Sequence, residues 1–406
     1  MTNRPLDGVR ITDFCWIGAG SYTTKLLADM GADVLKIESS SYLDSLRLSA
    51  PYKDKIPGVN RSGYFADRNT SKRSVAINLK NPKGVELIRQ LIGKSDVVSN
   101  NFTPGVMEKF GLGYEAVREI RPNVIYLSMS MQGSDGPERD TLGYGLTIGA
   151  LSGVQYLTGL PGRDPAGTGT NFPDHIPNPG HAAFVLLAAL RHRRRTGQGQ
   201  SIDMAQIEAT VVLFGPALMD VSANGHVQGP CGNDLMRASP HGVYPCKGDD
   251  RWIAIAVTNR AQWSAVADLL GLQDEAAARG WDRATLRYRD RVEVDAAVAG
   301  ATQNWDAVAL MKELQQRGVA AGVVQDASDV VEKDPQLEHR HHWCRLDHAE
   351  MGPIAYNAPP FRFASRPVGP RASAPLLGEH TKEVCRELLG LDDQAIATLT
   401  AEGVLT

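Results

Sequence analysis

The chain has 406 residues, more than a single hydrophobic core usually organises, so two domains or one elaborate domain are expected. Its formal net charge of −3 argues against nucleic-acid binding, and no run approaches the roughly 20 apolar residues of a membrane span. The N-terminal stretch lacks the pattern of a secretory signal, and the five scattered cysteines have no CxxC spacing. These features predict a cytoplasmic protein with free thiols.

The first third of the chain alternates between strand and helix patterns. Val9 to Phe14 is apolar, Gly18-Ala19-Gly20 forms a turn, a helical stripe runs to Gly31, and a second strand starts at Asp33. Three more strands are predicted within 74–80, 96–102 and 123–130, with helices between them. This alternation predicts right-handed βαβ units and a parallel sheet.

The middle of the chain is more helical. Asn178 is a candidate cap for a long helix with Pro179 at its first position and Gly197 at its end. The arginines at 191–195 suit the C-terminal end of that helix, either as a solvated face or as a phosphate site. A second long helix is predicted over 201–219.

The pattern of predicted strands and helices changes after residue 224. Residues 241–259 predict a hairpin, short helices follow to about Gly318, and 318–326 returns to a strand-like pattern. We therefore predict an α/β protein whose large domain is interrupted by a smaller α+β domain. The expected bounds are 1–200 for the first part of the large domain, 201–224 for a linker helix, 225–320 for the small domain and 321–406 for the return.

Two candidate sites have weak support. Gly18-Ala19-Gly20, with Glu38 at the end of the next strand, suggests a dinucleotide site, but Thr23 stands where the third glycine is needed. A tight structural turn is the favoured interpretation. The histidines of 338–343 lack the spacing and the acidic partner of a metal site, so a polar surface loop is predicted there.

Asp174 is the strongest single candidate. It lies in NFPDHIPNPG, between Pro173 and Pro177, just before the predicted helix. The prolines restrict the backbone, and the free N–H groups of a helix start favour a carboxylate or an oxyanion. Position alone leaves two interpretations open, a loop carboxylate that caps an amide and a catalytic group.

Several stretches taken together resemble the class III CoA-transferases, a family that includes formyl-CoA and carnitine CoA-transferases and the α-methylacyl-CoA racemases. They are PLDGVRITDF, LADMGADVLKIE, NTSKRSVAINLKNPKG, NNFTPGVMEKFGLGYE and PDHIPNPGHAAFVLLAALRHRRRTGQGQ. The likeness covers nearly the whole chain, in order. It implies a Rossmann-like large domain, a small domain, and two chains that interlock.

The resemblance implies that Asp174 is the catalytic nucleophile and forms an aspartyl-CoA thioester. It also implies that CoA enters as a substrate and that no cofactor or metal is permanently bound. Ser39 and Thr103 replace residues that often lie near the CoA nucleotide, so the phosphate contacts are expected at Lys72 and Arg73. The full set of expected CoA contacts is Gly18, Ala19, Lys72, Arg73, Asn101, Phe102 and Tyr144.

The same resemblance leaves the reaction type to be decided. The racemases use a histidine at the position of Tyr144, and tyrosine is a poor proton acceptor at neutral pH. A transferase is therefore favoured, with a racemase or epimerase as the alternative. A homodimer and a heteromer with a paralogous subunit both remain open. Succinyl-CoA is the expected donor, and RASPHGVYPC is most similar to succinyl-CoA:(R)-benzylsuccinate CoA-transferase subunits.

Overall fold

The computed structural model describes residues 4–406, so the first three residues of the expected large domain lie outside it. The strands are β1 (Arg10–Asp13), β2 (Asp33–Glu38), β3 (Arg73–Ala76), β4 (Val97–Asn100), β5 (Ile125–Ser128), β6 (Gln200–Asp203), β7 (His241–Pro245), β8 (Trp252–Ala256), β9 (Ala320–Val323), β10 (Trp343–His348) and β11 (Gly352–Asn357).

Helices follow most of these strands. They are α1 (Ala19–Asp29), α2 (Gly63–Arg68), α3 (Pro82–Gly93), α4 (Val106–Lys109), α5 (Tyr114–Ile120), α6 (Gly145–Leu151), α7 (Val154–Leu157), α8 (Phe172–His175), α9 (Pro177–Thr196), α10 (Gln206–Val211), α11 (Gly215–Asn224), α12 (Arg260–Leu270), α13 (Gln273–Arg279), α14 (Ala284–Arg289), α15 (Arg291–Thr302), α16 (Ala307–Gln316), α17 (Pro335–His339), α18 (Thr381–Leu389) and α19 (Asp393–Ala401).

The main sheet confirms the expected parallel α/β architecture. Its six strands run in the order β3-β2-β1-β4-β5-β6, and every neighbouring pair is parallel. Because side chains alternate along a strand, the neighbouring residues Val34 and Leu35 pack into two separate hydrophobic cores, one on each face of the sheet. Helices α1 and α9 cover one face, and α3 and α18 cover the other. All six strands therefore end at the same edge, where open α/β sheets bind ligands.

Two expectations in the middle of the chain are wrong. The helix expected over 201–219 is instead β6, then α10, a 3₁₀ turn at Val212–Phe214, and α11. Pro216 cannot continue a preceding helix, so a new helix begins at Gly215. Asn178 does not cap α9, because that helix already begins at Pro177 and Asn178 is fully buried inside its first turn. Gly197 ends α9 with a φ of 77°, as expected.

The chain divides into two compact units. Unit 1 contains the described residues up to Gln155, Gly167–Gln228 and Pro335–Thr406, and unit 2 contains Tyr156–Ala166 and Gly229–Asp334. Unit 2 therefore extends beyond the expected end of the small domain at 320. The reason is β9, which pairs with β8 as the third strand of the antiparallel sheet β7-β8-β9.

The C-terminal segment completes unit 1. Val384 and Leu388 of α18 and Ile396 of α19 are buried in the core on one face of the main sheet. The antiparallel pair β10–β11 lies between unit 2 and these helices in sequence and was not predicted. The histidine stretch falls between α17 and β10. Among residues 4–406, no group of three or more ligating side chains is arranged to hold a metal.

Candidate active site

A cavity of about 880 Å³ lies in unit 1 across the carboxyl ends of the main-sheet strands. Every strand contributes a residue from its end or from the loop just after it, so the cavity spans the width of the sheet. The six are Phe14 after β1, Glu38 at the end of β2, Ile77 after β3, Asn101 after β4, Ser130 after β5 and Gln206 after β6. This is the position at which parallel α/β folds hold ligands.

Asp174 lines this cavity, although only 4% of its surface is exposed. It sits in the short helix α8, and its N–H donates to the carbonyl of Asn171 at 2.9 Å. Two glycines press against its carboxylate. A Cβ placed on Gly18 would lie 2.6 Å from Asp174 Oδ2, and one placed on Gly145 would lie 2.8 Å from the same atom. The carboxylate is therefore enclosed by backbone, with one side open to the cavity.

Burial raises the pKa of Asp174 to about 6, because the buried carboxylate has lost most of its water. The positive charge of Arg68 and the N–H of Gly145 oppose this shift by favouring the anion. At neutral pH the group is mostly ionised but poorly solvated. A carboxylate in that state is suited to act as a nucleophile.

Arg68 lies close enough to this carboxylate to act on it electrostatically and was not anticipated from the sequence. Its guanidinium lies 4.6 Å from the centre of the Tyr22 ring and bonds to His175 and Asp67. Burial, with help from the charge of Arg68, lowers the pKa of His175 to about 4. The imidazole next to Asp174 is therefore neutral at physiological pH and engaged with Arg68.

The turn between β1 and α1 holds a strained residue beside the site. Ile17 has a φ of 58°, which a β-branched residue rarely adopts. Its N–H donates to Asp44 Oδ1 at 3.2 Å, and the Asn101 amide exchanges two bonds of 2.8 Å with the backbone of Trp16. Such strain persists where the surroundings over-determine the backbone. The network thus fixes the approach of Gly18 to the carboxylate.

Five of the expected CoA contacts line the cavity together with Asp174, namely Gly18, Ala19, Asn101, Phe102 and Tyr144. Trp16 adds an aromatic surface that was not predicted from the sequence. Its ring stacks on Tyr42 at 5.2 Å and meets Phe102 edge-on at 5.5 Å, and all three line the cavity. Tyr144 lies directly before α6 and is 66% exposed.

Lys72 was predicted from the sequence to contact CoA phosphates, but it lies outside the cavity lining. It is 2% exposed, and its ammonium donates to Asp13, to the carbonyl of Ser21 and to Asn69 at 3.3, 2.8 and 2.9 Å. Burial lowers its pKa to about 8, against the attraction of Asp13. Lys72 is therefore a core cation whose donors are used inside unit 1, which leaves none for a phosphate.

Arg73 is also outside the cavity lining. Its guanidinium is held by Asp33 at 2.7 Å, Glu387 at 2.7 Å and Glu383 at 3.2 Å. Three carboxylates around one guanidinium create a surface that repels phosphate. The expected ribose acid, Glu38, is likewise occupied, since Arg47 bonds to both of its oxygens at 2.7 and 2.8 Å. This agrees with the structural interpretation of the glycine turn.

Replacing Asp174 by asparagine is expected to stabilise the fold at pH 8. The folded-state pKa of about 6 lies above the ordinary aspartate pKa of 3.8, so the stability that the protonated group contributes is lost as the pH rises through 6. Removing the charge should recover up to roughly 3 kcal/mol at pH 8, and the gain should shrink towards pH 5. Calorimetry of both proteins at the two pH values tests this. An equal gain in stability at pH 5 and pH 8 would contradict the raised pKa of Asp174.

No helix among residues 4–406 has the length and hydropathy needed to cross a membrane.

The family model of CoA-transferase family III matches residues 6–381. A succinyl-CoA–D-citramalate CoA-transferase of Chloroflexus aurantiacus is 30% identical over 99% of this chain and 98% of its own length. The beta subunit of a succinyl-CoA–L-malate CoA-transferase from the same organism is 30% identical over 100% and 99%.

The fold has a solved counterpart. A CAIB/BAIF family protein from Brucella suis superposes with a TM-score of 0.88 and 30% identity, over 95% of this chain and all of that one. Sequence and structure thus agree over nearly the full length of the chain. On these matches, the chain is an enzyme that belongs to CoA-transferase family III.

Proposed function

We propose that this enzyme transfers CoA from succinyl-CoA to a dicarboxylic acid through a covalent intermediate on Asp174. The observation that carries the proposal is the buried carboxylate of Asp174, which is enclosed by Gly18 and Gly145 and open only to the cavity. A group held in this way can attack a thioester from a fixed position, while bulk water is kept from the reacting carbon.

The proposed chemistry balances without ATP. A carboxylate oxygen of Asp174 attacks the thioester carbonyl of the donor, the C–S bond breaks, and a mixed anhydride and the CoA thiolate result. The thiolate then attacks the aspartyl carbonyl, which releases the donor acid and leaves an aspartyl-CoA thioester. The acceptor carboxylate then attacks the aspartyl-CoA thioester, which gives a second mixed anhydride and the CoA thiolate. The thiolate attacks the acceptor's carbonyl carbon, which forms the new acyl-CoA and frees the Asp174 carboxylate. Each thioester is replaced by another, so little free energy is lost.

The CoA contacts that we propose differ from those expected at Lys72 and Arg73. Lys80 follows β3 and lines the cavity, and no described residue pairs with its ammonium. We assign the phosphates to Lys80, and the adenine or pantetheine to the surface formed by Trp16, Tyr42 and Phe102. Aromatic faces suit a nucleotide base, and an unpaired ammonium suits a phosphate.

The relatives support the choice of acceptor. Citramalate and malate, named for the two Chloroflexus proteins, are both succinates with a substituent on the second carbon. (R)-Benzylsuccinate belongs to the same chemical class with a larger apolar substituent. We therefore propose a short dicarboxylic acid as the acceptor, with substituted succinates and glutarate as candidates and (R)-benzylsuccinate as the bulkiest of them.

A panel assay tests the proposed activity. Purified enzyme should form new acyl-CoA from succinyl-CoA with malate, citramalate or benzylsuccinate, and faster than with acetate or butyrate. Run in deuterated water, the reaction should introduce no α-deuterium at a rate comparable with turnover. Rapid deuterium incorporation into a chiral 2-methylacyl-CoA, without acyl exchange, would restore the racemase alternative instead.

We also propose that a second chain covers part of unit 1. Helices α6, α9 and α11 expose large apolar side chains, which isolated soluble domains rarely leave in water. These are Leu146, Leu151, Phe184, Leu187, Leu218, Met219 and Val221. An interlocked dimer of the kind implied by the resemblance would bury them. Because the related malate CoA-transferase protein is a beta subunit, a paralogous chain is the second candidate for this partner.

A further inference from the structure

Two cationic side chains line the cavity within residues 4–406, Lys80 and Arg139. They follow different strands, Lys80 after β3 and Arg139 after β5. In the sheet order, four strand spacings separate β3 from β5, which corresponds to about 19 Å at the usual spacing. The two cations therefore join the cavity lining from loops that follow strands in opposite halves of the sheet.

Arg139 belongs to the same loop as the groups that surround Asp174. Thr141, Gly143 and Tyr144 continue this loop along the cavity, and it ends at Gly145 against the carboxylate. Lys80, by contrast, lies in the loop that follows β3, next in sheet order to β2, which ends at Glu38. Arg139 is accordingly the cation on the acyl side of the cavity.

The guanidinium of Arg139 is available for a ligand. Its side chain is 48% exposed, and in the described chain its one charged partner is the neighbouring Asp140, with Nε 3.5 Å from Oδ1. That distance is at the limit of a hydrogen bond, so both terminal nitrogens remain free to donate. A free guanidinium fork on a cavity wall matches the two oxygens of a carboxylate.

The geometry points to Arg139 as the residue that recognises the distal carboxylate of a dicarboxylic acyl group. This inference rests on the proposed function, because it requires one carboxyl carbon to react at Asp174 while the other is bound. Among the described residues, the remaining anion in the lining besides Asp174 is Glu38, and Arg47 already neutralises it. Arg68 acts on Asp174 from outside the cavity lining, so Arg139 is the lining cation that a second carboxylate on the acyl side can meet.

The test compares acceptors that share a five-carbon chain and one carboxylate but differ in the distal group, which is a carboxylate, an amide or a methyl. Glutarate, its monoamide and pentanoate are offered to wild type, Arg139→Ala and Arg139→Lys, with succinyl-CoA saturating. Arg139→Ala should raise KM for glutarate roughly ten- to a hundredfold and leave the monoamide and pentanoate unchanged. Arg139→Lys should fall between, because lysine keeps the charge but not the fork.

Lys80→Ala is the matched variant, since it removes the other cation of the cavity. It should weaken inhibition by desulfo-CoA and affect all three acceptors alike, whereas Arg139→Ala should leave desulfo-CoA inhibition unchanged. If Arg139→Ala changed KM equally for glutarate and its monoamide, or weakened inhibition by desulfo-CoA, the role of Arg139 would be refuted while the proposed function would stand. A wild-type enzyme that accepts no dicarboxylate would overturn the proposed acceptor class together with it.

Discussion

Replacing Asp174 by asparagine or alanine is expected to lower kcat for CoA transfer by roughly 10³-fold or more, because either change removes the nucleophile. Asparagine keeps the shape and burial of the side chain, so the CoA affinity should survive. The aspartyl-CoA adduct provides a direct measurement. Intact-mass analysis of wild type after incubation with succinyl-CoA should show an added CoA, and both variants should show none.

The control for this experiment removes an aspartate elsewhere. Asp249 is exposed in the turn between β7 and β8 of unit 2, far in sequence from every residue of the cavity lining. Asp249→Asn should retain both the adduct and the turnover rate. Near-normal transfer by Asp174→Ala would refute the covalent mechanism. An adduct that persists in that variant would move the nucleophile to another residue.

The parallel architecture could be predicted from the sequence because its signals are local. Apolar strands, helical stripes and glycine stops place β1, α1 and β2 within a residue or two of their observed bounds. Asp174 was also accessible from the sequence, since Pro173 and Pro177 mark it and the resemblance selects it. β6 was missed because QSID has one apolar residue and is mostly exposed, so it lacks the buried apolar run by which the other four-residue strands were predicted.

The misplacement of Lys72 has a different cause. Its partners Asp13 and Ser21 lie far from it in sequence, and a basic residue in a polar stretch gives no local sign that it is buried. The same holds for Gly145, whose need for glycine depends on an aspartate that folds against it from another helix. Tertiary contacts of this kind decide which polar residues reach a site, and spacing alone does not encode them.

Gly145→Ala is expected to lower kcat about a hundredfold while leaving the CoA affinity nearly intact. The new Cβ would lie 2.8 Å from both Asp174 Oδ2 and the Cβ of Asn171, closer than real contacts allow. The carboxylate must then move, and a displacement near 1 Å costs about 10²-fold in rate. The Gly145 N–H that favours the anion would be displaced with it. Steady-state kinetics and desulfo-CoA inhibition measure the two effects separately.

Gly149→Ala supplies the comparison within the same helix. Gly149 lies one turn after Gly145 in α6, is also buried, and its added Cβ would meet Gln155 at an ordinary 3.4 Å. Gly149→Ala gains helix propensity of roughly 0.5–1 kcal/mol, and Gly145→Ala gains less because Gly145 is the first residue of α6, so neither variant should be strongly destabilised if the site alone is disturbed. Gly149→Ala should keep wild-type kcat. Should Gly145→Ala also keep it, the carboxylate would tolerate displacement, and the positional argument for Asp174 as a fixed nucleophile would fail.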